Sequence, residues 1–221
     1  MSPRRVLAVP VKPLLRSKTR LASALSPIER ATVTLAMLED VLEACLAQPS
    51  WETWVVTGSP EAVELARHRG ARGIAEKGSS LGEAVRQAET EFGNDAGGAE
   101  DGELAVVLAD LPTLTTDALS HALALPGAVV AAPAGSDGGT NLLLRRPPAA
   151  IAARFGRSSF ERHRQGAHRR GLTFTQARAP ELGFDLDRPT DLLTLLATPT
   201  GSRTQSVCRA MGLANRLRMG A

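Results

Sequence analysis

The sequence predicts an α/β protein built on a mostly parallel sheet with helices on its faces. Short apolar runs alternate with longer stretches of helical period, which is the pattern of repeated βαβ units. Residues 104–109 are apolar throughout, as a central strand covered on both faces requires. Ser26-Pro27-Ile28-Glu29 combines an N-cap serine, a proline at the first helical position and a glutamate three residues after the cap, so a helix starts there.

Residues 6–11 form the first expected strand. In the helix after Ser26, the residues Ile28, Ala31, Leu35, Leu38, Leu42 and Cys45 recur at three- and four-residue steps, which sets an apolar stripe against the sheet and turns Glu29, Arg30, Glu39 and Glu43 to water. A strand is expected at 54–57, with Trp51 and Trp54 as packing residues, and helices at 60–69 and 81–92. Residues 93–102 are acidic and glycine-rich and read as a mobile surface loop. Beyond the strand at 104–109 come a helix at 116–125, strands at 128–132 and 140–144 joined through a glycine-rich turn, a helix at 159–170, a strand at 173–177 and a helix at 191–196. Residues 1–197 therefore read as one domain. Residues 198–221 carry several arginines and no acid, and read as a partly ordered basic tail.

Composition narrows the function. No apolar run reaches the roughly 18 residues of a membrane span, and the basic start lacks the apolar core of a signal peptide, so a cytoplasmic protein without membrane partners is expected. The two cysteines, Cys45 and Cys208, lack metal or redox spacing and read as reduced thiols. The 26 Lys and Arg against 23 Asp and Glu leave +3, but tyrosine is absent and aromatics are 3%, too few for the stacking platforms of single-strand binding. Small anionic substrates suit this charge, and no nucleic-acid partner is expected. The four histidines have no zinc spacing and read as structural or surface residues, and no nucleophile elbow is present.

Asp110 stands where the buried strand stops, the edge at which open α/β sheets bind ligands. Taken alone it is as readily a turn or helix cap. Asp185 and Asp187 are two apart in an extended segment, so both face one way, and a divalent cation would relieve their repulsion. The competing reading is a turn with Asp187 or Thr190 capping the next helix. The loop after the first strand holds Lys12, Arg16, Lys18 and Arg20 and no glycine, so any phosphate there is met by side-chain charge. Gly156-Arg157-Ser158-Ser159 precedes a helix whose start offers N–H groups to an anion, unless Ser158 or Ser159 simply caps it.

Together, VPVKPLLRSKTRLA, LSPIERATVTLAMLEDVL, VLADLPTLT, GGTNLLLRRPP, FGRSSFERH and FDLDRPTDL resemble, in order and spacing over residues 6–196, the phospholactate/phosphoenolpyruvate guanylyltransferases of coenzyme F420 synthesis. The chain departs from the family pattern at Leu81-Gly82, where Leu-Asn is usual, and at Asp137-Gly138-Gly139-Thr140, where a Gly-Thr-Gly-Thr-like turn is usual. The resemblance implies a nucleotide-diphospho-sugar-transferase-like fold and a reaction of GTP with phosphoenolpyruvate or 2-phospho-L-lactate that releases pyrophosphate, with Mg2+ as cofactor. Carried over by motif, Asp110, Asp185 and Asp187 are the catalytic, metal-binding carboxylates. Thr140, Gly156 and Ser159 hold the phosphorylated carboxylic acid, and Lys12, Lys18 and Arg20 lie near the GTP phosphates. A homodimer and a hand-over of the labile product to the next F420 enzyme are left open. Nucleotidyltransferases for sugar phosphates or molybdopterin, glycosyltransferases and non-enzymatic nucleotide-binding proteins are the alternatives. The first would carry a glycine-rich loop after the first strand, and a glycosyltransferase a paired DxD element where Asp110 stands singly.

Overall fold

A computed structural model describes residues 3–14, 17–76, 78, 80–94 and 101–219. Leu15, Arg16 and most of the glycine-rich loop expected at 93–102 lie outside the described residues. The strands are β1 (Arg5–Val11), β2 (Glu52–Thr57), β3 (Arg72–Ala75), β4 (Glu103–Val107), β5 (Val129–Pro133), β6 (Thr140–Arg145) and β7 (Phe174–Gln176). They form a seven-stranded sheet in the order β3-β2-β1-β4-β6-β5-β7. Strand β6 runs antiparallel to both of its neighbours, β4 and β5, and every other pairing is parallel.

Reversal of β6 puts its first residue at the edge where β4 ends. Chain winding also changes direction between β1 and β4, because β2 and β3 extend the sheet on one side of β1 while the later strands lie on the other. Ligands of open α/β sheets bind at such a switch point, beyond the carboxyl ends of the strands.

Both faces of the sheet are covered. Leu7 and Val9 of β1 pack toward α1 (Pro27–Leu46), α2 (Pro60–Arg69) and α4 (Thr116–Ala124), while Val6 and Ala8 point to the opposite face, which α3 (Leu81–Asn94) covers with Ala84, Ala88 and Phe92. This two-sided burial is why β1 and β4 read as continuous apolar runs. The short edge strand β3 was not legible, because Arg-Gly-Ile-Ala shows neither alternation nor an apolar run.

The capping box at the start of α1 forms as expected: Glu29 N–H donates to Ser26 Oγ and Ser26 N–H to the Glu29 carboxylate. The stripe expected on this helix needs correction. Ile28 is 77% exposed, whereas Arg30, Val33, Met37 and Asp40 are buried. The reason lies at the carboxyl terminus. Residues expected as a partly ordered tail form α8 (Arg203–Ala210) and α9 (Leu213–Met219), which pack with α7 (Pro189–Ala197) on the flank of α1 around Val33, Met37, Leu186, Cys208 and Leu213. A helix covered from two sides cannot show one stripe.

Asp40 fastens this cover. Its carboxylate accepts from the N–H groups of Arg203 (2.7 Å) and Thr204 (2.9 Å) at the start of α8. Burial pushes the Cys45 thiol up to about 12 and the Cys208 thiol up to about 11, so both are inert at neutral pH. Among the described residues no helix is long and apolar enough to cross a membrane. Because Asp40 satisfies two helix-start amides, that of Thr204 buried and that of Arg203 partly so, Asp40→Ala is expected to destabilise the protein by about 2 kcal/mol, read as a lower urea midpoint, and Asp40→Asn by less.

Candidate active site

A cleft of about 540 Å³ opens at the switch point. Its floor is the end of β1 (Pro10, Val11), the segment after β4 (Leu108 to Asp110) and the start of β6 (Thr140, Asn141). Asp110, Asp185 and Asp187 line it, as do Lys12, Lys18, Arg20, Thr140 and Gly156. Of the nine residues singled out in the sequence, eight line this one cleft and Ser159 lies directly behind Thr140.

The main chain sets the carboxylates. Leu186 N–H donates to the Asp110 carbonyl at 3.1 Å, laying the 185–187 segment beside the end of β4. Leu186 is fully buried in the α1–α7 cluster, so its neighbours on either side, Asp185 and Asp187, turn toward the cleft. Neither Asp110 nor Asp187 serves as a helix cap. Thr115 caps α4, and the Asp191 carboxylate accepts from the N–H groups of Asp187 and Arg188 at the start of α7.

Lys18 is the unexpected element. Its side chain is only 8% exposed, and Nζ donates to Asp110 Oδ2 at 2.6 Å and to Asp187 Oδ1 at 2.7 Å. Its backbone is left-handed (φ 51°), which turns it inward from the loop. Ser17 anchors that loop by donating to the Leu14 carbonyl at 2.7 Å and lying 2.9 Å from Thr34 Oγ1 of α1. Arg20 NH1 reaches Asp187 at 3.2 Å but remains 60% exposed, and Lys12 is exposed at the rim.

Charge is unevenly shared among the three acids. Burial alone would lower the Lys18 pKa, yet the charges of Asp110 and Asp187 outweigh it and hold the ammonium above its ordinary value. Burial pushes the Asp187 carboxyl up, but Lys18, Arg20 and Lys12 more than offset this and it stays below its ordinary value. Asp185 is raised, by burial first and then by the charges of Asp110 and Asp187. Among the described residues its side chain accepts from Ser136, whose hydroxyl donates to Asp185 Oδ2 at 3.3 Å.

Among the described residues no three His, Cys, Asp or Glu side chains are gathered closely enough to hold a metal as they stand. The donor set nevertheless suits a hard cation. Among the described residues, Asp110 Oδ1 is buried without a hydrogen-bond partner, and Asp185 makes no ion pair such as those of Asp187 with Lys18 and Arg20.

The second half of the cleft is a pocket of hydroxyls. The β5–β6 hairpin, tightened by Gly139 N–H donating to Asp137 Oδ1 at 2.7 Å, docks on the start of α5 (Ser159–Arg169), where Phe160 N–H donates to the Gly138 carbonyl at 3.2 Å. Ser158 sits at the N-cap but makes no side-chain cap bond, and the Ser159 hydroxyl instead donates to Thr140 Oγ1 at 2.9 Å. The amides of Ser158, Ser159 and Phe160 donate to carbonyls of Asp137, Gly156 and Gly138, so they are not idle anion donors. Gly156 has φ +105° and a Cβ there would meet no protein atom within 4 Å, so conformation rather than space demands glycine.

His163, one of the four histidines expected as structural or surface residues, is of the structural kind, 1% exposed with Nδ1 3.1 Å from Thr140 Oγ1. The signal that identifies it is helical spacing: Ser159, His163 and Ala167 form the buried face of α5.

The fold is shared with solved nucleotidyltransferase-like structures. A protein from Desulfovibrio desulfuricans G20 described as a "putative nucleotide-diphospho-sugar transferase" superposes with a TM-score of 0.76 at 19% identity, covering 99% of this chain and 98% of its own. A nucleotidyl transferase from Methanothermobacter gives a TM-score of 0.61 at 17% identity, covering 95% of this chain and all of its own (100%). The particular family follows from sequence: residues 5–220 match the family described as "Guanylyl transferase CofC like", and the chain belongs to it. A phosphoenolpyruvate guanylyltransferase from Sphaerobacter thermophilus is 39% identical over 89% of this chain and 95% of its own length. A 3-phospho-D-glycerate guanylyltransferase from Phenylobacterium zucineum is 36% identical (87% and 90% covered), and a 2-phospho-L-lactate guanylyltransferase from Haloarcula marismortui 35% (89% and 87%).

The uneven charge sharing has a measurable consequence. A carboxyl whose pKa is raised on folding binds its proton more tightly in the native state, so its ionisation costs stability once pH passes upward through the folded value. Asp185→Asn is therefore expected to raise the thermal midpoint of the ligand-free, chelator-treated protein at pH 7. Asp187→Asn is expected to lower it, through a loss of about 1–3 kcal/mol of unfolding free energy, because Lys18 loses one of two charged partners. Calorimetry of the two variants checks the opposite signs.

Proposed function

We propose that this protein joins the guanylyl group of GTP to the phosphate of a three-carbon phosphorylated carboxylic acid, with magnesium, in the cytoplasm and as a step of F420 synthesis. The observation that carries this is the adjacency, in one cleft, of the Asp110–Asp185–Asp187 cluster and the Thr140–Ser159 hydroxyl pair. The acids named for the three relatives above are all phosphorylated three-carbon acids. Phosphoenolpyruvate, named for the relative from Sphaerobacter, is the first to test.

In the reaction an oxygen of the acceptor phosphate attacks the α-phosphorus of GTP, and the bond from that phosphorus to the bridging oxygen of the β-phosphate breaks, releasing pyrophosphate. A phosphate is already an anionic nucleophile at neutral pH, so no strong general base is needed. That suits a cleft lined by carboxylates, Lys and Arg, with no Cys or His side chain among its lining residues. The difficulty is instead to bring two anions together and to hold them in line.

Asp110, Asp185 and Asp187 would hold the magnesium, which supplies charge to offset the repulsion between the phosphates and the charge that builds on the leaving group. Lys18 neutralises Asp110 and Asp187 from within the cluster. Lys12 and Arg20, more exposed at the rim, face the polyphosphate. Thr140 and the open face of Gly156 receive the acid, with Ser159 supporting the Thr140 hydroxyl from behind.

The test incubates purified protein with GTP, magnesium and, in turn, phosphoenolpyruvate, 2-phospho-L-lactate and 3-phospho-D-glycerate, with products weighed by mass spectrometry and pyrophosphate assayed. One acid is expected to yield its guanylyl diphosphate ester, and chelation to abolish turnover. Asp110→Asn, Asp185→Asn and Asp187→Asn are each expected to cut kcat by about 100-fold or more. Absence of product with every acid, or near-normal turnover in all three variants, overturns the assignment. Arg20→Met is expected to weaken GTP binding by less than about 1 kcal/mol, an effect that moderate salt removes, because the guanidinium is largely exposed.

A further inference from the structure

Thr140 Oγ1 is the convergence point of a buried network that the sequence did not reveal. The backbone N–H of Arg154 donates to His163 Nε2 at 2.9 Å. A main-chain amide can only donate, so Nε2 carries no proton. A neutral ring then carries its proton on Nδ1, which lies 3.1 Å from Thr140 Oγ1 and must donate to it. The Ser159 hydroxyl also donates to Thr140 Oγ1, at 2.9 Å. Both lone pairs of that oxygen are thereby occupied, and its own proton is the one hydrogen-bonding capacity it has left for the cleft it lines.

We propose that His163 is a positioning residue for the acceptor acid: it fixes the Thr140 hydroxyl as an obligate donor to an anionic oxygen of the substrate, and through Arg154 it holds the loop carrying Gly156 against the same pocket. This deepens the guanylyl-transfer reading and rests on it. His163 does not line the cleft and touches no substrate. It acts through Thr140 on one side and through the 154–157 loop on the other, and so couples two walls of the acceptor site.

The surroundings keep the ring in one state. It is 1% exposed and packed edge-on against Phe155 at 5.6 Å. Burial, with the charges of Arg145 and Arg162, pushes its pKa down to about 4, so it stays neutral across the working range. A neutral, tautomer-locked imidazole gives the Thr140 hydroxyl a fixed direction. Solvated hydroxyls rotate freely and must pay to align.

The test compares His163→Asn, which keeps an N–H donor near the position of Nδ1, with His163→Leu, which keeps none. For the acid that the wild type uses, His163→Leu is expected to raise KM about 10-fold or more while KM for GTP changes by less than about 2-fold, and His163→Asn to recover most of the loss. In a Thr140→Val background, His163→Leu should add only about 3-fold or less, the part carried through the Arg154 contact. Equal shifts in both KM values, or an effect that persists in full without the Thr140 hydroxyl, overturns the proposal. Should His163→Leu fail to fold, His163→Asn and His163→Gln carry the comparison, with Gln expected to be the worse. A second measurement needs no turnover: nitrogen-15 spectra of histidine-labelled wild type should show His163 protonated at Nδ1 and bare at Nε2 from pH 6 to 8. A ring protonated at Nε2, or charged, also overturns it. Failure of the wild type to react with any acid, with the Nδ1 signature intact, would instead count against the guanylyl-transfer reading.

Discussion

Three carboxylates at the open edge of an apolar sheet repel one another, and the Lys18 ammonium, bonded to both Asp110 and Asp187, offsets part of that repulsion. The bond ties together three stretches remote in sequence: the loop after β1, the end of β4 and the segment that leads into α7. A buried cation with two anionic partners is costly to desolvate and costly to disrupt. Such a contact favours one arrangement of the loop over many. Asp185 makes no ion pair among the described residues, and burial with the charges of Asp110 and Asp187 raises its pKa.

The rest of the cleft depends on the direction of one strand. Were β6 parallel to β4, Thr140 would begin at the opposite edge of the sheet, far from Asp110. Because β6 is antiparallel, its first residues and the last residues of β4 share an edge, and Leu108 N–H donates to the Asn141 carbonyl at 2.9 Å. The hairpin between β5 and β6 then reaches the start of α5, which brings Ser159 and His163 onto Thr140. The carboxylates and the hydroxyls thus meet through topology, although 30 residues separate Asp110 from Thr140 in the sequence.

Much of the fold was legible because the residues that make it act locally. The Ser26 capping box and the helical spacing of α2 satisfy backbone groups within their own segments, the unbroken apolar run of β4 signals burial on both faces, and the elements appear close to where those patterns lie. The failures share one cause. Strand β3 is stabilised by pairing with β2 rather than by its own side chains, and the flank of α1 is buried only because α8 and α9 return to it from more than 150 residues away. An arginine-rich terminus with scattered apolar residues reads as a tail until Val33 and Met37 supply the surface on which Cys208 and Leu213 are buried.

The sequence by itself determined the chemistry on offer: aspartates at a strand end and in an alternating pair, cations in the first loop, and a threonine and a serine near glycine turns. Those identities follow from residue type and short-range spacing, and the order of the motifs marked the family. Tertiary structure alone decided how the groups share their charges and protons. That Lys18 turns inward to two aspartates instead of outward to solvent depends on a left-handed backbone and on partners 92 and 169 residues away. That His163 is a neutral donor to Thr140 depends on a main-chain amide of Arg154 meeting its other nitrogen. Electrostatic and hydrogen-bond states are properties of distance and burial, and chain order does not encode either until the sheet has closed.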